Sequence, residues 1–159
     1  MIMKENNLDI REVLHYFALK YEGNVHHIIF AIITKEVIRQ SDYDSLIAQD
    51  KTDFITLLDE IGEEKLSTMI KPPLVMFYKG NIELMDKLNY KEFKEIEGIR
   101  TQTILQVKTI NNKIYLDYLI LSENVKVLNH LIEKITNLEA IKSLVPIDSQ
   151  NKSIEISIY

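Results

Sequence analysis

Two long runs of strand-forming residues, Thr103 to Ile110 and Lys113 to Leu121, are separated only by Asn111-Asn112. Asparagine tolerates the positive φ of a tight two-residue turn, so the pair reads as a long antiparallel hairpin. The second run is apolar on both faces, at Ile114, Leu116, Leu119, Ile120 and Leu121. A strand of that kind belongs inside a sheet covered on both sides. Helical patterns before and after it make the expected fold class α+β or α/β.

The first fifty residues carry the helical spacing. Leu8, Ile10, Val13, Leu14, Phe17, Ala18 and Tyr21 recur mostly at three and four, as one buried helical stripe requires, and Gly23-Asn24 ends the pattern. A second helix follows through Val25, Ile28, Ile29, Ile32 and Ile33, and Ser41-Asp42 is placed to cap a third that holds Tyr43, Leu46 and Ile47. From Asp53 the pattern changes. Phe54 to Leu58 reads as a buried strand, Gly62 to Ile70 as a helical turn ended by Pro72-Pro73, Leu74 to Tyr78 as a second strand, and Ile82 to Leu88 as another short helix. Val125 to Ile135 returns to helical spacing, Pro146 interrupts, and Ser153 to Ile158 alternates as a terminal strand with one solvated face. The expected organisation is a helical subdomain over residues 1–50 and a small α/β domain over residues 51–159.

Composition narrows the function classes. A formal charge of −5 repels a phosphate backbone, so nucleic-acid binding needs a segregated basic face. The absence of cysteine rules out disulfides and thiolate metal sites and fits a reducing cytoplasm. No apolar run approaches the roughly 20 residues of a membrane span, and Glu5, Asp9 and Glu12 stand where a signal peptide is basic and then apolar. A cytoplasmic protein without membrane attachment is expected.

The segment Phe54 to Glu60, then Glu64-Lys65-Leu66, then Ile70-Lys71-Pro72-Pro73-Leu74-Val75-Met76-Phe77-Tyr78-Lys79-Gly80-Asn81 resembles the DprA/Smf DNA-processing family. In that family a Pro-Pro-x-x-Leu-Phe-x-x-Gly-Asn block precedes a Rossmann-like core. Arg11 to Leu14 and Phe17 to Asn24 are similar to the opening helix of its firmicute and mollicute members, and the resemblance runs over residues 8–100. It implies a helical N-terminal subdomain, a doubly wound domain that binds single-stranded DNA, and no cofactor or bond-making chemistry. Gly62-Glu63-Glu64 stands where the family has a Tyr-Pro pair.

The family binds DNA with a Gly-Ser/Thr-Arg triplet. The corresponding place here is Gly98-Ile99-Arg100, which matches the glycine and the arginine and lacks the hydroxyl. Phe93-Lys94-Glu95-Ile96-Glu97 replaces an apolar strand with a charged one, and no glycine follows Gly98 for a close phosphate approach. Residues 51–159 are therefore expected to form a reduced Rossmann-like sheet with a β-hairpin and flanking helices. The resemblance places Gly98, Arg100, Lys71 and Lys79 near a nucleic-acid groove.

Other clusters have simpler readings. His26 and His27 point about 100° apart on a helix, and neither has a partner at i+4 for zinc. His15 and His130 lie on helical stretches without ligand spacing. Asp59, Glu60, Glu63 and Glu64 suit a helix start, where acidic residues are favoured. Tyr16, Phe17, Tyr21, Phe77 and Tyr78 follow core spacing rather than that of a base-stacking platform. No catalytic residue, metal ligand or cofactor is assigned.

The reading is a non-catalytic DprA-like binding or scaffold module linked to DNA processing or recombination. Its partners would be a protein, a second copy of the chain, or single-stranded DNA bound weakly, and Arg100→Ala should change DNA affinity little. The alternatives are a reduced but functional single-stranded-DNA mediator and a nucleotide-binding Rossmann-like sensor.

Overall fold

A computed structural model of the protein describes residues 8–67, 69, 71–87, 94–96, 98–111, 113–136 and 153–157. Helix α1 (Ile10–Lys20) begins at a reciprocal cap, in which the Asp9 carboxylate accepts the Glu12 N–H at 2.8 Å and the Glu12 carboxylate accepts the Asp9 N–H at 3.2 Å. Asn24 caps α2 (Val25–Ile33) by accepting the His27 N–H. The expected cap of the third helix is corrected: α3 (Gln40–Ala48) starts after Arg39, with no side-chain cap. Tertiary contacts anchor it instead, since the Tyr43 phenol donates to Glu12 at 3.1 Å and its ring stacks on Tyr16.

The strands are β1 (Asp53–Thr56), β2 (Val75–Gly80), β3 (Lys94–Ile96), β4 (Ile99–Ile110), β5 (Lys113–Ser122) and β6 (Ser153–Ser157). They form one sheet in the order β1-β2-β5-β4-β3, with β6 also paired to β5. Every described pairing is antiparallel. The fold is α+β, and parallel pairs joined by crossover helices, on which a Rossmann-like sheet is built, are not among these pairings. The long β4–β5 hairpin supplies the reason: its two-residue turn, with Asn111 at φ 52°, can join only antiparallel neighbours.

Helices cover both faces of the central strands, as the two-sided apolar pattern of β5 requires. Val75, Phe77, Tyr118 and Ile120 face one core shared with Leu14, Phe17 and Ile28 of the N-terminal helices and with Leu128 of α5 (Val125–Thr136). Met76, Leu119 and Leu121 alternate to the other side. There they pack with Ile55 of β1, Leu66 of α4 (Glu60–Leu66), Met69, and Ile82, Leu84 and Met85 of a 3₁₀ turn over Ile82–Lys87. Fully burying each such side chain contributes about 1.5–3 kcal/mol. Residues 8–50 thus share a core with the sheet. An ion pair from Lys126 on α5 to Glu22 after α1 lies at the same junction.

The carboxylates after β1 form a helix start. Asp59 accepts the Gly62 N–H at 2.7 Å, the Thr56 N–H at 2.8 Å and the Arg11 Nε–H at 3.2 Å. Burial by itself would raise the Asp59 carboxyl, but the hydrogen bonds from Thr56, Gly62 and Arg11 outweigh it and hold the group below its ordinary range. A Cβ on Gly62 would lie 1.5 Å from the Thr56 carbonyl oxygen, so only glycine lets α4 seat on the end of β1.

Candidate nucleic-acid interface

Gly98 sits at the turn where β4 folds back on β3, with Ile96 opposite Ile99. Its φ of +81° is the left-handed conformation such a turn demands, and a Cβ there would meet nothing within 4 Å. The glycine therefore serves the turn. Lys94 and Glu95 are exposed on a short strand at the sheet edge, which explains how a charged sequence occupies a strand. Phe93 and Glu97 lie outside the described residues. Ile99 is buried beside the turn.

Arg100 is tied down on every nitrogen of its guanidinium. Its Nε and Nη2 donate to the two oxygens of Glu123 at 2.9 and 3.2 Å, and its Nη1 donates to the Lys71 carbonyl at 2.6 Å. The Arg100 backbone N–H also donates to Glu123 Oε1 at 2.9 Å, and the Glu123 N–H donates to the Arg100 carbonyl at 3.2 Å. The Glu123 side chain is 3% exposed and that of Arg100 21%, so this is a largely buried, bidentate pair rather than a solvated cation. It links β4, the β5–α5 junction and the segment leading into β2. Lys71, held at a positive φ of 52°, is fixed through its carbonyl by the same guanidinium.

Lys71, Gly98 and Arg100 line one cleft of about 660 Å³, together with His26, Glu95 and Glu123. Lys79 is not with them. It lines a separate cleft of about 500 Å³ with Asp50, Asp53 and Tyr78. Three of the four residues singled out from sequence are thus brought together, in a cleft that also presents two carboxylates and is not a uniformly basic groove. No known protein family, curated protein or solved structure matches this chain.

Glu123, the residue that decides what Arg100 does, is not singled out by sequence reasoning. The available signal is the hairpin register. Starting from Ile110 opposite Lys113 and counting back along both strands, position 100 arrives opposite position 123.

The remaining titratable groups fall into structural roles. His15 is 8% exposed, stacks on Phe54 with ring centroids 3.8 Å apart, and meets Asp50 at 3.2 Å through Nε2. Burial pulls the imidazole below its ordinary value, against the opposing hydrogen bond and charge of Asp50. His26 and His27 are exposed, and the His27 ring contacts Tyr21 edge-on. Tyr16, Phe17 and Phe77 are buried, and Tyr21 and Tyr78 are half-buried. Among the described residues no three His, Asp or Glu side chains are grouped to hold a metal ion. No described helix is long and apolar enough to cross a membrane.

Proposed function

We propose that the chain is a non-catalytic, DprA-like binding or scaffold module linked to DNA processing or recombination in the cytoplasm, with a protein as its principal partner. The observation that carries this reading is the commitment of Arg100 to the buried Glu123 and to the Lys71 carbonyl. A guanidinium held this way has little left to offer a phosphate, whereas phosphate contacts are what fix a nucleic-acid backbone. On this reading residues 51–159 are a reduced Rossmann-like domain in which the β4–β5 hairpin stands in place of βαβ units.

Single-stranded DNA is then a weak ligand. Fluorescence anisotropy with a labelled oligonucleotide should give dissociation constants in the range of about 10 μM or weaker at physiological salt, weakening steeply as salt rises. Submicromolar binding at that salt, lost on Lys71→Ala, would instead establish the reduced but functional single-stranded-DNA mediator. The convergence of Lys71, Gly98 and Arg100 on one cleft is what favours that second reading.

A further inference from the structure

Helix α2 carries no Asp, Glu, Lys or Arg. Ile28 and Ala31 are each 1% exposed and turned into the core, yet Ile29 is 41%, Phe30 67% and Ile33 71% exposed. Apart from His26 and His27 the helix is apolar, and a helix face of large apolar side chains is ordinarily buried. These three outward side chains present roughly 350 Å², within the span of the largest apolar patches on monomers, which are often functional.

We propose that this face is covered by the same face of a second copy of the chain, the two α2 helices packing antiparallel about a two-fold axis. An isologous contact places one patch against itself, so the patch must be complementary to itself. An apolar helix face without charge meets that condition, since no like charges are brought together. The antiparallel direction opposes the two helix dipoles and carries the exposed Glu22, just before α2 and also engaged with Lys126, toward the exposed Lys35 that follows α2 in the other copy.

Area bounds the contact and places it among small interfaces. Two copies bury roughly 700 Å² of apolar surface from these side chains, and His26 with the polar rim brings the total near 1,000 Å², the lower limit for a specific interface. The expected dissociation constant is about 10 μM, the weak end of specific association, for a dimer that is concentration-dependent and independent of DNA.

Sedimentation equilibrium on the full chain tests this directly. The expected result is a mass rising from 18.6 kDa toward twice that value as concentration approaches about 200 μM. Phe30→Lys and Ile33→Lys should stay at the single-chain mass, with unchanged circular dichroism because both positions are exposed. The natural absence of cysteine allows a second readout. Phe30→Cys, near the helix centre, should cross-link to itself under mild oxidation. Glu22→Cys should not, because antiparallel packing sets the two copies of that position about 20 Å apart, beyond disulfide reach. A chain that stays monomeric at about 200 μM, a dimer indifferent to both lysine variants, or equal cross-linking at positions 22 and 30 would each overturn the proposal.

Discussion

Replacing Arg100 by methionine strands a carboxylate. Glu123 is 3% exposed, and without the guanidinium it keeps only the Arg100 backbone N–H as a described hydrogen-bond donor. Breaking a buried ion pair from one side costs about 3–5 kcal/mol; because the Arg100 side chain is 21% exposed, the lower end applies, about 3 kcal/mol. For a chain of this size that lowers Tm by about 6–12 °C. Thermal and urea unfolding followed by circular dichroism measures it. Glu123→Leu alone should also destabilise, by removing the carboxylate that accepts from the guanidinium Nε and Nη2. Arg100→Met with Glu123→Leu should recover part of the loss, since two apolar groups need no compensation, and the double-mutant cycle should return a coupling of about 1.5 kcal/mol or more. A single-variant loss below about 0.5 kcal/mol, or simple additivity, would refute the assignment of Arg100 to the fold. Any change in DNA affinity on substituting Arg100 must therefore be read beside the stability of the variant.

Two further perturbations follow from the geometry. Gly62→Ala places a methyl 1.5 Å from a backbone oxygen, so a loss above about 3 kcal/mol is expected; a Tm within about 2 °C of the parent would show that α4 can shift away from β1 without penalty. His15 has its folded-state value below the unfolded one, so the unfolded chain binds the proton first. Its contribution is complete above about pH 6.5 and is lost as pH falls through the lower folded value. Urea unfolding between about pH 5 and 8 should show this slope, and His15→Gln, though less stable overall, should flatten it; an unchanged slope would move the proton uptake to another group.

Local chemistry determined much of this protein within the sequence itself. The helical stripe from Leu8 to Tyr21, the Asn24 cap and the apolar spacing after Val125 place α1, α2 and α5 almost where they form, because capping and periodicity act within a few residues. Asn111 marks the hairpin turn, and a two-residue turn fixes the register of everything beyond it, so the meeting of Arg100 with Glu123 was implicit in the spacing. The charged Lys94 and Glu95 likewise signal an exposed edge. Contacts between elements remote in sequence were decided by the tertiary structure. Nothing local announces that β2 lies against β5, that Asp50 meets His15, that Tyr43 of the uncapped α3 is held by Glu12, or that Lys79 parts from Lys71 into another cleft. The same holds for the role of Arg100: its spacing resembles a phosphate-binding triplet, and only the packing that leaves Glu123 3% exposed turns the hairpin's pairing into a buried ion pair at 2.9 Å. Burial then selects between the two uses, since a carboxylate withdrawn from water demands the cation that an open groove would have offered to DNA.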